Sequence, residues 1–470
     1  VTNWMRNTVL IDGTWQERAS TSAVYNPATE EVVGSAASAS VEDVDAAVRS
    51  ARRAGIDWGR TDHATRADML DEVHARLLAD RRLLVDAIVA EVGAPVAVAE
   101  EAHVDLAIEL IASFARIARD EPMHTTIGNS TVLRRPAGVV GCITPWNYPL
   151  YQLAAKVGAA LAAGCTTVVK PAELTPLSTY LFCDALLAAG LPPGVVNLVP
   201  GQGSVVGSAL VAHPGVDVVS FTGSTTVGRE VGRVSGEQLK RACLELGGKS
   251  ASVVLDDADL TAAVTGSVEA AMLNSGQTCS AWTRLLVPRT RYTEAVELAA
   301  AHADAMVVGD PLDPATTLGP VISGRQRVSI AAAVDGAVAR GARLAAGGTD
   351  AIAERGHFLR PTVLADVDRH DPVARDEIFG PVLVVLPHDG DEDAIAAAND
   401  SEYGLAGAVW SADRERALSV AGRMDTGQVD VNGAAFNPLA PFGGWKNSGL
   451  GRELGRVGIE EFTEMTSVQM

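Results

Sequence analysis

From about residue 137 onward, short β-rich runs alternate with helical stretches, and no other feature of the chain constrains its fold as strongly. The runs are Gly138 to Thr144, Thr166 to Lys170, Val195 to Val199, Val216 to Phe221 and Ser252 to Leu255. Between them lie helical stretches at Pro149 to Ala163, Thr175 to Ala189, Ser204 to Ala212 and Thr226 to Ser235. Strands joined through helices of this length make a parallel sheet with helices on both faces, an α/β fold. Ligands of such sheets bind beyond the carboxyl ends of the strands, so chemistry is expected just after each strand. A second alternating region, with helices near Asp259 to Asn274 and Thr293 to Val307, runs to about Asn432 and predicts a second α/β domain. Ahead of both, apolar positions at three- and four-residue spacing predict helices over Val41 to Ala54, Ala64 to Val92 and Val96 to Arg119. The Thr- and Pro-containing stretch Glu121 to Arg135 and the mildly β-prone tail Glu460 to Met470 read either as arms against another subunit or as ordinary surface.

Composition narrows the classes of partner. The chain has 470 residues, which at roughly 100 to 200 residues per domain allows two to four domains with large cores. Its formal net charge of −20 repels phosphate backbones and anionic headgroups, so neither nucleic acid nor a membrane surface is expected as a partner. The longest weakly polar run, Val157 to Val169, is shorter than the ~20 residues that span a bilayer, and Val1 to Leu10 has no apolar core of signal-peptide length. Five cysteines, Cys142, Cys165, Cys183, Cys243 and Cys279, are widely spaced and contain no C-x-x-C, so a reducing, cytoplasmic setting with neither a disulfide framework nor a metal site is expected. Of the 38 basic residues only Lys156, Lys170, Lys240, Lys249 and Lys446 are lysine. That bias reflects either codon usage or lysine kept where a flat guanidinium cannot serve.

Five segments carry side chains suited to chemistry. Thr144-Pro145-Trp146-Asn147-Tyr148-Pro149 follows a strand, and Asn147 there suits either an oxyanion donor or a cap of the next helix. In Lys170-Pro171-Ala172-Glu173 a cation and a carboxylate three apart suit ribose hydroxyls or form a surface ion pair, and the carboxylate would repel the extra phosphate of NADP. Glycines at Gly201, Gly203 and Gly207, and again at Gly223 and Gly228 around Ser224, follow strand ends and open helices. Such glycines admit a pyrophosphate or simply make turns, and neither run is G-x-G-x-x-G. Glu245, between Leu244 and Leu246 and ahead of Gly247, Gly248 and Lys249, is a candidate general base if desolvated. Cys279 alone among the cysteines lies in a polar, glycine-containing segment, Asn274 to Ser280, suited to a nucleophilic thiol; the other four read as inert core residues.

In this order the segments resemble the aldehyde dehydrogenase superfamily. The resemblance begins at Tyr25-Asn26-Pro27-Ala28-Thr29, passes through the segments above, and ends with Glu377-Ile378-Phe379-Gly380-Pro381 and Pro441-Phe442-Gly443-Gly444-Trp445-Lys446-Asn447-Ser448-Gly449. It implies two Rossmann-like α/β domains plus a small β oligomerisation arm: an NAD(P)-binding domain over 1–119 and 136–247, a catalytic domain over 248–447, and an arm over 120–135 and 448–470, in a homodimer or homotetramer. It also assigns roles. Cys279 matches the nucleophile, Glu245 the general base and Asn147 the oxyanion donor. Thr144, Pro145, Trp146, Lys170, Glu173, Gly203, Gly207, Phe221, Gly223, Ser224, Leu246, Gly247, Glu377 and Phe379 match cofactor positions. Tyr148, Tyr151, Gln152, Thr278, Ser280, Phe436 and Phe442 match the substrate pocket.

The implied reaction oxidises an aldehyde to a carboxylic acid with NAD, NADP being less favoured because of Glu173. The Cys279 thiolate adds to the carbonyl, and Glu245 activates the water that releases the acyl group. A free thiol with pKa about 8.5 is mostly protonated at neutral pH, so local lowering at Cys279 is expected. Retention of Glu245 points to hydrolysis rather than transfer to coenzyme A. Ala155 stands where many relatives carry a bulky aromatic, which implies a roomy, apolar tunnel for medium or aromatic aldehydes. Steady-state assays of NADH formation should therefore favour octanal or benzaldehyde over acetaldehyde; equal turnover of all three would remove the size argument.

Overall fold

The computed structural model describes residues 4–120 and 124–470. Two large sheets dominate it, each with the helices on its faces that the alternation requires. The first has eight strands. Its centre is five parallel strands in the spatial order Arg241–Glu245, Val218–Thr222, Val139–Ile143, Thr166–Lys170 and Val196–Leu198. Four of these, Val139–Ile143, Thr166–Lys170, Val196–Leu198 and Val218–Thr222, are buried along their whole length, as strands covered on both faces must be. The chain goes outward from Val139–Ile143 to one side, then returns to lay Val218–Thr222 on the other. The crevice between those two strands is the topological switch point at which such sheets bind ligands.

The second sheet has seven strands, with Ala251–Val254 between Arg284–Pro288 and Gly407–Trp410. Leu246 to Ser250 links the carboxyl end of Arg241–Glu245 to the amino end of Ala251–Val254. The two sheets thus meet end to end across one short segment. A third sheet of three antiparallel strands joins the hairpin His124–Ile127 and Ser130–Pro136 to the tail Thr463–Gln469, with Met465 opposite Arg134. Both segments left open as arm or surface therefore belong to one sheet; of the first, residues 121–123 lie outside the described residues. The 448–470 segment is divided, because Gly449–Leu450 pairs with Leu244 and Glu245 on the edge of the first sheet and only Thr463–Gln469 joins the arm.

Several predicted elements are observed almost unchanged. Pro149–Ala163 is a helix with Pro at its first turn and left-handed Gly164 at its end. It is buried nearly all round, and a Cβ at Gly158 would stand 2.7 Å from the Phe114 ring, so glycine sets how closely the Leu106–Asp120 helix approaches. The single helix expected over Ala64 to Val92 is two, His63–Ala79 and Arg81–Val92, hinged at Asp80, whose N–H still bonds back to Arg76. The expected Val96 to Arg119 helix contains a π-helical turn, Ala99–Asp105. The stretch Ser204 to Ala212 likewise opens with π-helical turns at Gly203–Gly207.

The N-terminal strands went unread because they are short and far from the sheets they extend. Thr8–Ile11 and Thr14–Glu17 form a hairpin on the edge of the first sheet, turning at Asp12 and Gly13, both with positive φ. An Asp-Gly pair is the sequence signal for such a turn.

One long-range contact supports the helix Leu177–Ala188, which has no side-chain cap of its own. The fully buried Glu91 accepts the N–H groups of Leu177 at 2.6 Å and Ser178 at 3.0 Å. Burial pushes its carboxyl up to about 7, against the opposing hydrogen bonds. A carboxyl raised on folding stabilises the fold most below its ordinary range, and that contribution is lost as pH rises through the folded value. Thermal melts should show Glu91→Ala destabilised by about 2 kcal/mol, from two stranded amides. Wild type should also lose stability relative to Glu91→Gln between about pH 5 and about pH 8.

Candidate active site

The residues expected to carry chemistry converge where the two sheets meet. From the first sheet come the segments after its strands: Thr144 to Tyr148, Lys170 to Glu173, Thr222 to Ser224 and Glu245 to Gly247. From the second come segments that precede strands. Cys279 lies ahead of Arg284–Pro288, and Glu377 with Phe379 ahead of Val382–His388. Chemistry expected only after strands therefore also sits before them, because the second sheet presents its amino ends to the first.

Cys279 follows a short 3-10 turn, Leu273–Gly276, in which Asn274, Ser275 and Gly276 have φ of 53°, 59° and 71°. Two consecutive non-glycine residues in the left-handed region are costly and persist only where surroundings hold them. A Cβ at Gly276 would meet the Gly380 carbonyl at 2.1 Å, so glycine is required there. The turn is held from several sides. Asn147 Nδ2 donates to the Gln277 carbonyl at 2.8 Å, and Asn274 Nδ2 donates to the Asn147 carbonyl at 3.0 Å. Ser275 Oγ donates to Gly319, and Gln277 Oε1 accepts the Ile322 N–H at 2.8 Å. Asn147 thus does not cap the Pro149–Ala163 helix, and one of its two amide hydrogens is engaged by the Gln277 carbonyl.

The thiol is not poised by a cation. Burial pushes Cys279 up to about 12, and the Glu377 and Glu245 carboxylates push the same way, opposed only by the backbone amides of Ser280 and Cys279. The expected local lowering is therefore overturned. Glu245 is buried, its carboxylate oxygens have no hydrogen-bond partner among the described residues, and burial followed by Glu453 raises its pKa well above the ordinary range. A Cβ at Gly443 would lie 2.6 Å from Glu245 Oε1, and one at Gly248 would lie 2.4 Å from the Cys279 carbonyl, so glycines let both loops close around the acid and the thiol.

Glu453 was not singled out in the sequence. It forms a buried ion pair with Lys156 at 2.5 Å, and 297 residues separate the two, so no spacing could have revealed it. Of the other scarce lysines, Lys170 and Lys249 are buried, and Lys446 donates to the Asn399 carbonyl. Lys240 donates to the carbonyls of Val211 and His213 at the end of a helix.

The cofactor positions also come together. Glu173 Oε1 accepts the Gly203 N–H at 2.8 Å, and a Cβ at Gly203 would be 3.8 Å from Lys170 Nζ. Gly207 lies against the Lys170 stem, and burial pulls Lys170 down to about 8 with Glu173 opposing. Ser224 caps the thirteen-residue helix Thr225–Glu237 by accepting from Val227. Phe221 packs under Gly223 and Leu246 under Gly228. On the other side Glu377 accepts the Gly248 N–H at 3.1 Å, its carboxyl pushed up to about 7 by burial, and lies against Gly247. Phe379 meets Trp146 edge to face at 5.2 Å, beside Pro145 and Thr144. A carboxylate beside an ammonium, open backbone at glycines and a helix N-terminus fit the ribose and pyrophosphate of a dinucleotide.

The pocket residues form an aromatic file, Tyr148, Tyr151, Phe436 and Phe442, with successive centroids 6.5, 6.4 and 6.1 Å apart. Tyr148 Oη and Thr278 Oγ1 are hydrogen-bonded at 2.8 Å, and Ser280 follows Cys279. Gln152 is not free to line a pocket with its oxygen, which accepts from Thr222 Oγ1 at 3.0 Å.

Comparison with known proteins agrees with this geometry. The aldehyde dehydrogenase family model matches residues 15–468. A 3-succinoylsemialdehyde-pyridine dehydrogenase of Pseudomonas sp is 46% identical, with 97% of each chain covered, and the geranial dehydrogenase of Castellaniella defragrans is 42% identical, with 98% of each covered. Among solved structures, a cysteine-to-alanine variant of aldehyde dehydrogenase C from Pseudomonas syringae, complexed with NAD+ and octanal, superposes with a TM-score of 0.97 at 44% identity over 98% of this chain and 96% of that one. A Mycobacterium tuberculosis aldehyde dehydrogenase complexed with NAD+ also gives 0.97, at 41% identity over 100% and 99%. With a family match over residues 15–468, relatives 46% and 42% identical over nearly the whole chain and solved structures superposing at a TM-score of 0.97, the chain belongs to the aldehyde dehydrogenase family.

Proposed function

We propose that this NAD-dependent aldehyde dehydrogenase works through Cys279, Asn147 and Glu245, on medium-length or aromatic aldehydes. The observation that carries the reading is the close approach of two loops: the Cys279 turn, tied to Asn147, lies directly against the segment that follows the unpartnered Glu245.

Lys170, Glu173, Gly203, Gly207, Ser224, Gly247, Glu377 and Phe379 would hold NAD, which accepts a hydride from the substrate carbon when bound. Glu173 favours a free ribose diol over a phosphorylated one by charge. The Cys279 thiol, protonated at rest, gives its proton to ionised Glu245, which passes it to solvent, and the thiolate adds to the aldehyde carbonyl. The other amide hydrogen of Asn147 and the Cys279 N–H receive the growing negative charge on oxygen. After oxidation the acyl group remains on sulfur as a thioester. Glu245, deprotonated, takes a proton from water as that water adds to the thioester carbonyl, and carboxylic acid leaves as the Cys279 sulfur is released. Its high pKa makes it a strong base once ionised, and burial keeps competing solvent away.

An NAD-binding domain over 1–119 and 136–247 and a catalytic domain over 248–447 are supported by the two large sheets, whereas of 448–470 only Thr463–Gln469 goes to the arm, since Gly449–Leu450 pairs with the first sheet. The arm, built from the described part of 120–135 with Thr463–Gln469, exposes Ile127, Met465 and Val468, which suits pairing into a homodimer or homotetramer. Five free cysteines suit the cytoplasm. Among the described residues no helix is long and apolar enough to cross a membrane. The aromatic file from Tyr148 to Phe442, the geranial named for one relative and the octanal bound in another support a roomy pocket.

Cys279→Ala should abolish NADH formation while leaving NAD affinity unchanged by calorimetry. Glu245→Gln should retain a burst of NADH and lose steady-state turnover by about a hundredfold or more, as expected for a missing general base; unchanged turnover would remove Glu245 from that role. In the cofactor-free enzyme, alkylation of Cys279 by iodoacetamide, followed by mass spectrometry, should rise steadily from pH 6 to about pH 9 without a plateau, because the folded thiol titrates above that range. Glu173→Gln should shift the ratio of kcat/KM values for NADP and NAD toward NADP by about tenfold, about 1.4 kcal/mol.

A further inference from the structure

Among the buried ionisable groups beside the site to which the reading above gives no role, His103 is the one that touches the supports of the reactive turn. His103 is completely buried, on the π-helical turn Ala99–Asp105. A π-helical turn rotates the side chains that follow it and occurs at functional sites more than elsewhere. Here it accompanies an imidazole stacked on Tyr148, with centroids 4.4 Å apart and the rings inclined by 23°. Tyr148 Oη in turn holds Thr278 Oγ1 at 2.8 Å, one residue before Cys279. The side chain of Asn274 also faces the ring and favours its protonated form, without closing a hydrogen bond of normal geometry. Asn274 is the left-handed residue whose amide holds the Asn147 carbonyl at 3.0 Å.

One ring therefore backs both supports of the reactive turn: the tyrosine that fixes Thr278 and the asparagine that fixes Asn147. Burial pulls the imidazole down to about 3, with Asn274 opposing, so the ring is neutral at working pH and can stack without a counter-ion. No Asp, Glu, Lys or Arg is hydrogen-bonded to it among the described residues.

We propose that His103 is a positioning residue of the reaction, its ring bracing Tyr148 and Asn274 so that Cys279 and Asn147 face the same carbonyl oxygen. The inference rests on the assignment of Cys279 and Asn147 made above. His103 does not touch the reacting atoms; it acts through the two side chains it supports. Small misplacements of reacting groups lower rates steeply, so removal of the ring should be read in the chemical step and not in cofactor binding.

The test compares His103→Ala, His103→Phe and His103→Gln with wild type and with Cys279→Ala, as full-length enzyme. Stopped-flow measurement of the NADH burst with octanal should be slowed at least about tenfold in His103→Ala. NAD affinity by calorimetry should be unchanged. His103→Phe, which keeps the stack and loses the polar edge, should recover most of the burst rate, and His103→Gln should recover less. Cys279 alkylation by iodoacetamide should change in His103→Ala and return in His103→Phe. Because the ring is neutral throughout, the pH profile of the burst should keep its shape in His103→Phe. An unchanged burst rate in a folded His103→Ala, alongside an inactive Cys279→Ala, would overturn the proposal and leave the site assignment standing. An active Cys279→Ala would overturn the assignment itself. If His103→Ala does not fold, an impaired burst in folded His103→Phe and His103→Gln alike, with no recovery of alkylation, would overturn the bracing role.

Discussion

The structure depends on the reciprocal hydrogen bonds that join the segment after Val139–Ile143 to the turn before Cys279. Asn147 donates to the Gln277 carbonyl and receives, at its own carbonyl, the amide of Asn274. These bonds tie the ligand-binding end of one sheet to the amino end of the other. They also help to hold Asn274 and Ser275 in a conformation that non-glycine residues seldom adopt. Together with the Ser275–Gly319 and Gln277–Ile322 bonds they fix the thiol beside the loop of Glu245.

Around that junction the chain buries an unusual amount of ionisable chemistry. Glu245, Glu377, Cys279 and Lys249 are all driven toward their neutral forms by desolvation, while Lys156 and Glu453 answer burial by pairing with each other. A resting thiol kept protonated is protected from adventitious oxidation and alkylation. A buried acid with a raised pKa is a strong base when it ionises. Desolvation thus favours the uncharged form of each of these four groups.

How much of this was legible follows from the range of the forces involved. The central strands and the Pro149–Ala163 helix were readable because burial on both faces writes continuous apolar runs, and Pro and Gly mark the helix ends. Cys279 stood out against four cysteines among apolar neighbours, and Glu245 stood out between leucines. The break at Asp80 was hidden because both halves share one apolar periodicity, and the N-terminal hairpin because two four-residue strands carry little pattern of their own. Glu453, Glu91 and His103 were hidden for a different reason: their partners lie far along the chain, or their neighbours become visible only once helices pack.

The sequence by itself determined the parallel α/β architecture, the family, and which residues bear reactive groups, because hydrophobic periodicity, turn chemistry and motif order are local properties. Tertiary structure alone decided the protonation states and the mutual placement of those groups. The thiol expected to be lowered is raised, since a pKa depends on burial and on facing charges, and no neighbour in sequence supplies either. Likewise the amide of Asn147 meets the turn of Cys279 only because two sheets, folded from separate stretches of chain, meet end to end.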